Sequence, residues 1–218
     1  MKETDPNEAL FFGKVTAGIT HEIQNVLAII KESSGLMEDI LMMNREEEFK
    51  FLDKFQDTIL MLKKQVKRGV ELTSALNKFA HSPDKIETQI NVLDAVGRLV
   101  FLIRRLAKLK AVEIKLLKNN DPLVLTTNLV KFQMTFFLCL ESILNLTKKG
   151  CVINISSEKI DSQIIIKISC QGDLPSSDIF CKSISSSYQW PFILQTCREI
   201  NATAETDIEA NGIKLYFQ

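Results

Sequence analysis

Three polar side chains fall close together in the run Gly18-Ile19-Thr20-His21-Glu22-Ile23-Gln24-Asn25-Val26-Leu27. His21 carries an imidazole, a group largely neutral near pH 7 whose ring nitrogen is available as a nucleophile. Glu22, next in sequence, is placed to accept a hydrogen bond from the other ring nitrogen and hold the tautomer. Asn25 lies four residues on, which on a helix is one turn away on the same side. Gln24 projects elsewhere and reads as surface. The plain alternative is a histidine and a carboxylate on a solvated helix face without chemistry, so the surrounding elements have to decide.

Those elements begin with a long helix. Phe12, Val15, Ile19, Ile23, Val26, Ile30, Met37 and Leu41 alternate three and four apart, except where Ser33 and Ser34 interrupt, and form one apolar stripe. At about 100° per residue His21 falls roughly opposite that stripe and must face solvent. Asp5-Pro6-Asn7-Glu8 is a good helix start, a capping residue followed by proline at the first helical position. The pattern runs to about Met43, a rod of roughly 55 Å at about 1.5 Å per residue. Gly13, Gly18 and Gly35 each weaken it by roughly 0.5 to 1 kcal/mol relative to alanine, so packing must compensate.

Asn44-Arg45-Glu46-Glu47-Glu48 suits the first turn of a second helix. Leu52, Phe55, Ile59, Leu62, Val66, Gly69, Thr73, Leu76 and Phe79 or Ala80 give that helix a bundle seam. Lys54, Lys63, Lys64, Lys67 and Arg68 form its outer, solvated face, and His81-Ser82-Pro83-Asp84 stops it. His81 there reads as incidental. Two helices with one apolar stripe each cannot enclose a core. The sequence therefore predicts a homodimer through residues 7–81, two hairpins pairing into a four-helix bundle.

Composition excludes several functions. Lys plus Arg is 27 and Asp plus Glu is 27 in 218 residues, so no global field favours nucleic acid or an anionic membrane. Cys139, Cys151, Cys170, Cys181 and Cys197 are an odd number, widely spaced and without a C-x-x-C pair, which reads as reduced thiols of a cytoplasmic protein rather than a metal site. No run approaches 18 consecutive apolar residues and the N-terminus has no apolar signal region, so no membrane segment is expected. Ser183 to Ser187 reads as a serine-rich loop.

After Pro83 the pattern changes class, and a second domain is expected over 83–218 beside a first over 1–82. Lys85 to Ile90 suits a short strand, Val92 to Lys110 an amphipathic helix, Val112 to Leu117 and Leu123 to Thr126 strands, and Leu129 to Leu146 a strongly apolar helix. Cys151 to Ser156 and Ile164 to Ile168 are strands joined across Glu158-Lys159-Ile160-Asp161. A last helix over Pro191 to Asn201 precedes strands at Ala202 to Ile208 and Ile213 to Phe217, separated by Asn211-Gly212. The expected class is α+β, a helical hairpin followed by a sheet covered on one face by helices.

This order resembles the catalytic core of bacterial sensor histidine kinases. Ile19 to Leu27 is similar to the H-box of that family, whose histidine accepts a phosphoryl group, and departs from it at Val26, where proline is usual. Gln89 to Val96 and the helix over Leu129 to Leu146 stand where the family has its first strand and its nucleotide-binding helix. The nucleotide boxes depart further. Leu138 and Ser142 align with the asparagines that reach magnesium and phosphate, and neither is a good magnesium ligand. In Cys170-Gln171-Gly172-Asp173-Leu174 a thiol replaces the aspartate that binds adenine, and one glycine remains. Ser187-Tyr188-Gln189-Trp190-Pro191 puts bulky residues where bare amides should cradle phosphate. The intervening lid, Leu174 to Ser187, holds little beyond a loop.

The resemblance therefore implies a histidine-kinase-type ATPase domain that has lost ATP behind a competent histidine, as in histidine phosphotransferases with a vestigial ATP-binding domain. It implies phosphate exchange in a two-component phosphorelay between His21, as phosphohistidine, and response-regulator receiver domains, with no cofactor of its own and magnesium supplied by the receiver. A receiver would dock below His21 at Asn25, Ala28 and Glu32 and on the facing side of the second helix; Lys63, Lys64 and Lys67 are candidates for meeting its acidic rim, although a solvated face is the better account of most of them. The His-Glu-x-x-Asn spacing marks family members that also dephosphorylate their regulator, so a phosphatase or pseudokinase remains an alternative, as do a divergent histidine kinase and a non-enzymatic dimeric scaffold.

Overall fold

The computed structural model describes residues 6–43, 51–84, 86–117 and 122–218. The capping residue Asp5, the acidic start Asn44–Glu48 and Lys85 lie outside them. Backbone contacts divide the chain into two compact units, one of residues 14–80 and one joining residues up to Gly13 with 81–218.

The first unit is helical. Helix α1 spans Pro6–Met43 without interruption and α2 spans Leu52–Ala80. Ile19, Val26, Ser33 and Ile40 on α1 are buried at seven-residue spacing, and Thr58, Leu72 and Phe79 on α2 are buried at spacings of fourteen and seven. The two stripes pack closely enough that a Cβ added at Gly69 would stand 3.4 Å from Val26 Cγ1. This seam is narrower than the apolar stripe and shifted from it. Ile40 is inside and Leu41 is 52% exposed, Ser33 sits within the seam instead of breaking it, and Leu52, Val66 and Thr73 face outward. The physical reason is that a heptad seam uses about two positions in seven, whereas the sequence stripe of a bundle helix is wider and includes a flank that one hairpin leaves uncovered.

In the second unit, β1 (Thr88–Asn91) pairs antiparallel with β3 (Val124–Thr127). A five-stranded sheet runs in the order β2 (Glu113–Leu116), β4 (Val152–Ile160), β5 (Gln163–Gln171), β7 (Gly212–Phe217), β6 (Ala202–Asp207), with β2 and β4 parallel and every other pair antiparallel. Helices α3 (Val92–Leu109), α4 (Leu129–Leu146), α5 (Ser177–Ser185) and α6 (Trp190–Glu199) complete it. Asn91 and Asn128 cap α3 and α4, their side-chain oxygens accepting from the amides of Asp94 and Lys131. The α4 helix is long and apolar enough to cross a membrane, but its apolar length is used inside this unit. Its Phe132, Phe136, Leu140 and Ile143 are buried, as is the sheet face of Ile153, Ile155, Ile166, Ile168 and Leu215. Phe132 meets Phe217 with ring centroids 5.6 Å apart. The other sheet face is polar, with ion pairs Lys167–Glu158 at 2.6 Å and Lys214–Asp207 at 3.0 Å.

Three local expectations change. The β4–β5 hairpin is longer, pairing through Ile160 and Gln163 around a turn in which Asp161 has φ +54°. The segment read as a loop and short lid holds α5, because Phe180, Cys181 and Ile184 supply a buried stripe. The serines at its end bond back to the helix: Ser183 Oγ donates to the Ile179 carbonyl at 2.8 Å and Ser186 Oγ to that of Lys182 at 2.7 Å. Finally, residues 6–13 of α1 pack on this unit. Phe11 meets Phe137 at 5.4 Å, and Lys131 Nζ bridges Glu8 at 2.8 Å and Glu199 at 2.9 Å.

Candidate functional site

His21 is exposed on α1, two residues from the fully buried Ile19. Asn25, Ala28 and Glu32 are exposed below it, so one open face of the helix carries all four. Glu22 is different. Its side chain is only 13% exposed, and its carboxylate accepts from the guanidinium of Arg68 on α2. Arg68, read from the sequence as part of a solvated face, is therefore the residue that reaches back to the histidine's neighbour. The hairpin register that sets Gly69 against Val26 was the signal for it, but the loop length that fixes such a register cannot be read from apolar spacing alone. Below this level the seam turns polar: Ser33 Oγ and Gln65 Oε1 are buried with no hydrogen-bond partner among the described residues.

This arrangement presents an exposed histidine next in sequence to a carboxylate that a cation on the opposite helix anchors. An exposed imidazole on a helix can offer a ring nitrogen to an incoming electrophile. Among the described residues no cluster of three His, Cys, Asp or Glu side chains is placed to hold a metal.

The second unit holds the positions aligned with a nucleotide site. Leu138 is half-buried and Ser142 is buried, its hydroxyl donating to Gln189 Oε1 at 3.3 Å. Glu141 and Asn145 carry side-chain oxygens one turn apart on the same helix. The Glu141 carboxylate accepts from Gln189 Nε2 at 2.9 Å, so the buried Gln189 ties α4 to the start of α6. Cys170, the last residue but one of β5, has a buried thiol; burial, then the neighbouring Cys151, pushes its pKa up to about 12, so it stays a neutral, weak hydrogen-bonding group. Gly172 has φ +133°, and a Cβ there would stand 2.9 Å from Cys151 Sγ. Position 170 thus lacks a carboxylate, Gln189 engages the one on α4, and Tyr188 and Trp190 flank it without glycine. These residues do not fit a magnesium nucleotide.

No protein-family model and no curated relative matches the sequence. Solved structures do match. The histidine kinase ThkA in complex with the response regulator TrrA aligns at 14% identity over 96% of this chain and 61% of that one, with a TM-score of 0.50. A bacterial phosphotransferase aligns at 14% identity over 95% and 96%, TM-score 0.45, and the histidine kinase AdeS of Acinetobacter baumannii at 12% over 91% and 97%, TM-score 0.46. The chain has the fold of a histidine kinase core, a helical hairpin joined to an α/β sandwich.

Proposed function

We propose that this chain is a histidine phosphotransferase of a two-component relay, exchanging a phosphoryl group between His21 and a receiver-domain aspartate without using ATP. The observation that carries this reading is the pairing of an exposed His21 with a second unit whose residues do not fit a magnesium nucleotide.

In the forward step a ring nitrogen of His21 attacks the phosphorus of the receiver's aspartyl phosphate. The P–N bond forms as the acyl P–O bond breaks, and the receiver's carboxylate leaves with the electron pair; the reverse step returns the phosphoryl group to an aspartate. Charge on the transferring group is balanced in the receiver's own acidic, magnesium-binding pocket, so α1 need supply only position and access. In this reading Glu22, engaged by the guanidinium of Arg68, accepts a hydrogen bond from the other ring nitrogen and holds the tautomer. Residues 7–81 pair with a second copy in this reading, since the hairpin leaves Leu27, Leu60, Val66 and Val70 more than half exposed.

A second activity is favoured by one feature: Asn25 is exposed a turn from His21, where its amide can orient water toward an aspartyl phosphate on a docked receiver. The test is incubation with phosphorylated receivers of the host. Transfer of label to His21 supports the transferase, inorganic phosphate release without a stable phosphohistidine supports the phosphatase, and inertness toward every receiver overturns both. Calorimetry with Mg·ATP should show no binding tighter than about millimolar.

A further inference from the structure

On the second unit, at the β2 end of the sheet, α3 and β2 leave a cleft of about 770 Å³ between them, and a second of about 380 Å³ continues it past Gly97 and Leu116, which line both. Gly97 is what opens it: a Cβ there would touch Leu116 Cδ1 at 3.4 Å, and any larger side chain would fill the floor. The floor is apolar, built from Val100, Phe101 and Leu116, and Leu116 and Leu117 remain 38% and 47% exposed.

One wall is an unpaired strand edge. Among the described residues β2 pairs only with β4. The amide of Glu113 donates to the Cys151 carbonyl at 3.1 Å and that of Leu117 to the Ile155 carbonyl at 2.8 Å. Strand alternation then turns the N–H and C=O groups of Ile114 and Leu116 to the open side. The rim is cationic. Arg98, Arg104 and Lys108 lie along the exposed edge of α3, and none is in an ion pair among the described residues. Against them stand Asp94, in the first turn of α3, and Glu113, which is paired with Lys115 at 3.4 Å.

We propose that this cleft binds an extended segment of a partner protein, added as a strand to the free edge of β2, whose α3-facing side chains, at every second position, are apolar in the middle and acidic at the ends. The central apolar side chains on that side face Phe101 and Leu116, the backbone completes the hydrogen bonds of Ile114 and Leu116, and the flanking carboxylates on the same side meet Arg98, Arg104 and Lys108. A small molecule satisfies the floor and the rim but leaves the strand edge unpaired, and a basic segment is repelled by the rim.

Panning a displayed library of short random peptides against the full chain tests this. The expected result is enrichment of peptides whose alternate positions are apolar in the middle and acidic at the ends, slowed amide exchange at Ile114 and Leu116 when a selected peptide is bound, and about tenfold weaker binding to the variant Arg104→Glu/Lys108→Glu. Circular dichroism of that variant, whose two side chains are exposed, verifies its fold. The proposal is overturned by no enrichment, by selected peptides that bind the variant equally well, by unchanged exchange in β2, or by a changed oligomeric state of the variant, which would make a second copy of this chain the occupant.

Discussion

The carboxylate of Glu22 on α1 and the guanidinium of Arg68 on α2 are bonded across the hairpin, 46 residues apart in sequence. The residue next to the candidate nucleophile is thus held by the opposite helix. Arg68 is 44% exposed at its side chain, so solvent screening limits the pair to under about 1 kcal/mol. Arg68→Ala should lower the unfolding free energy by no more than that, read from the urea midpoint. It should also slow transfer to His21 at saturating receiver without abolishing it, since the imidazole remains; an unchanged rate would reduce the pair to a structural role.

His21→Gln should abolish acid-labile labelling by a phosphorylated receiver while shifting stability by less than about 0.5 kcal/mol, because the side chain is exposed and glutamine is a good helix former. Asn25→Ala separates the two activities: label on His21 should persist while any receiver-dependent release of inorganic phosphate falls. Loss of both together would mean that Asn25 contributes to docking.

Ser33 contributes a hydroxyl to the seam at 2% exposure with no partner among the described residues. Ser33→Ala removes that unpaired group, nearly preserves volume and improves helix propensity. Thermal unfolding should show a gain of about 1 kcal/mol. A loss would indicate that Ser33 bonds to a group brought by a second copy.

Tyr216 donates to Glu205, and that hydrogen bond, with burial and the Glu205 charge next, pushes its phenol up to about 12. The folded state therefore favours the neutral phenol. Its contribution to stability is complete below the ordinary tyrosine range near 10 and is lost as pH rises toward 12. In a Tyr188→Phe background, which leaves one tyrosine, phenolate absorbance should titrate near that upper value and move down in Glu205→Gln.

Much of this molecule is legible in its residues. The register of apolar positions puts His21 on the open face of α1, and the structure has it exposed. Leu129–Leu146 is an apolar run long enough for one buried helix, and α4 has those bounds. Such features depend on local periodicity, a property of the chain itself. What periodicity does not carry is which part of a wide stripe is covered by which neighbour. Ile40 and Ser33 were chosen over Leu41 by the hairpin register, and Gln189 reaches Glu141 only because α6 returns beside α4. The same holds for Arg68, which is one more cation on a helix until antiparallel packing sets it opposite Glu22. Composition and spacing determined the elements and the exposed histidine; the pairing of side chains distant in sequence was decided by tertiary packing, because a contact between two helices is a property of their register and not of either helix.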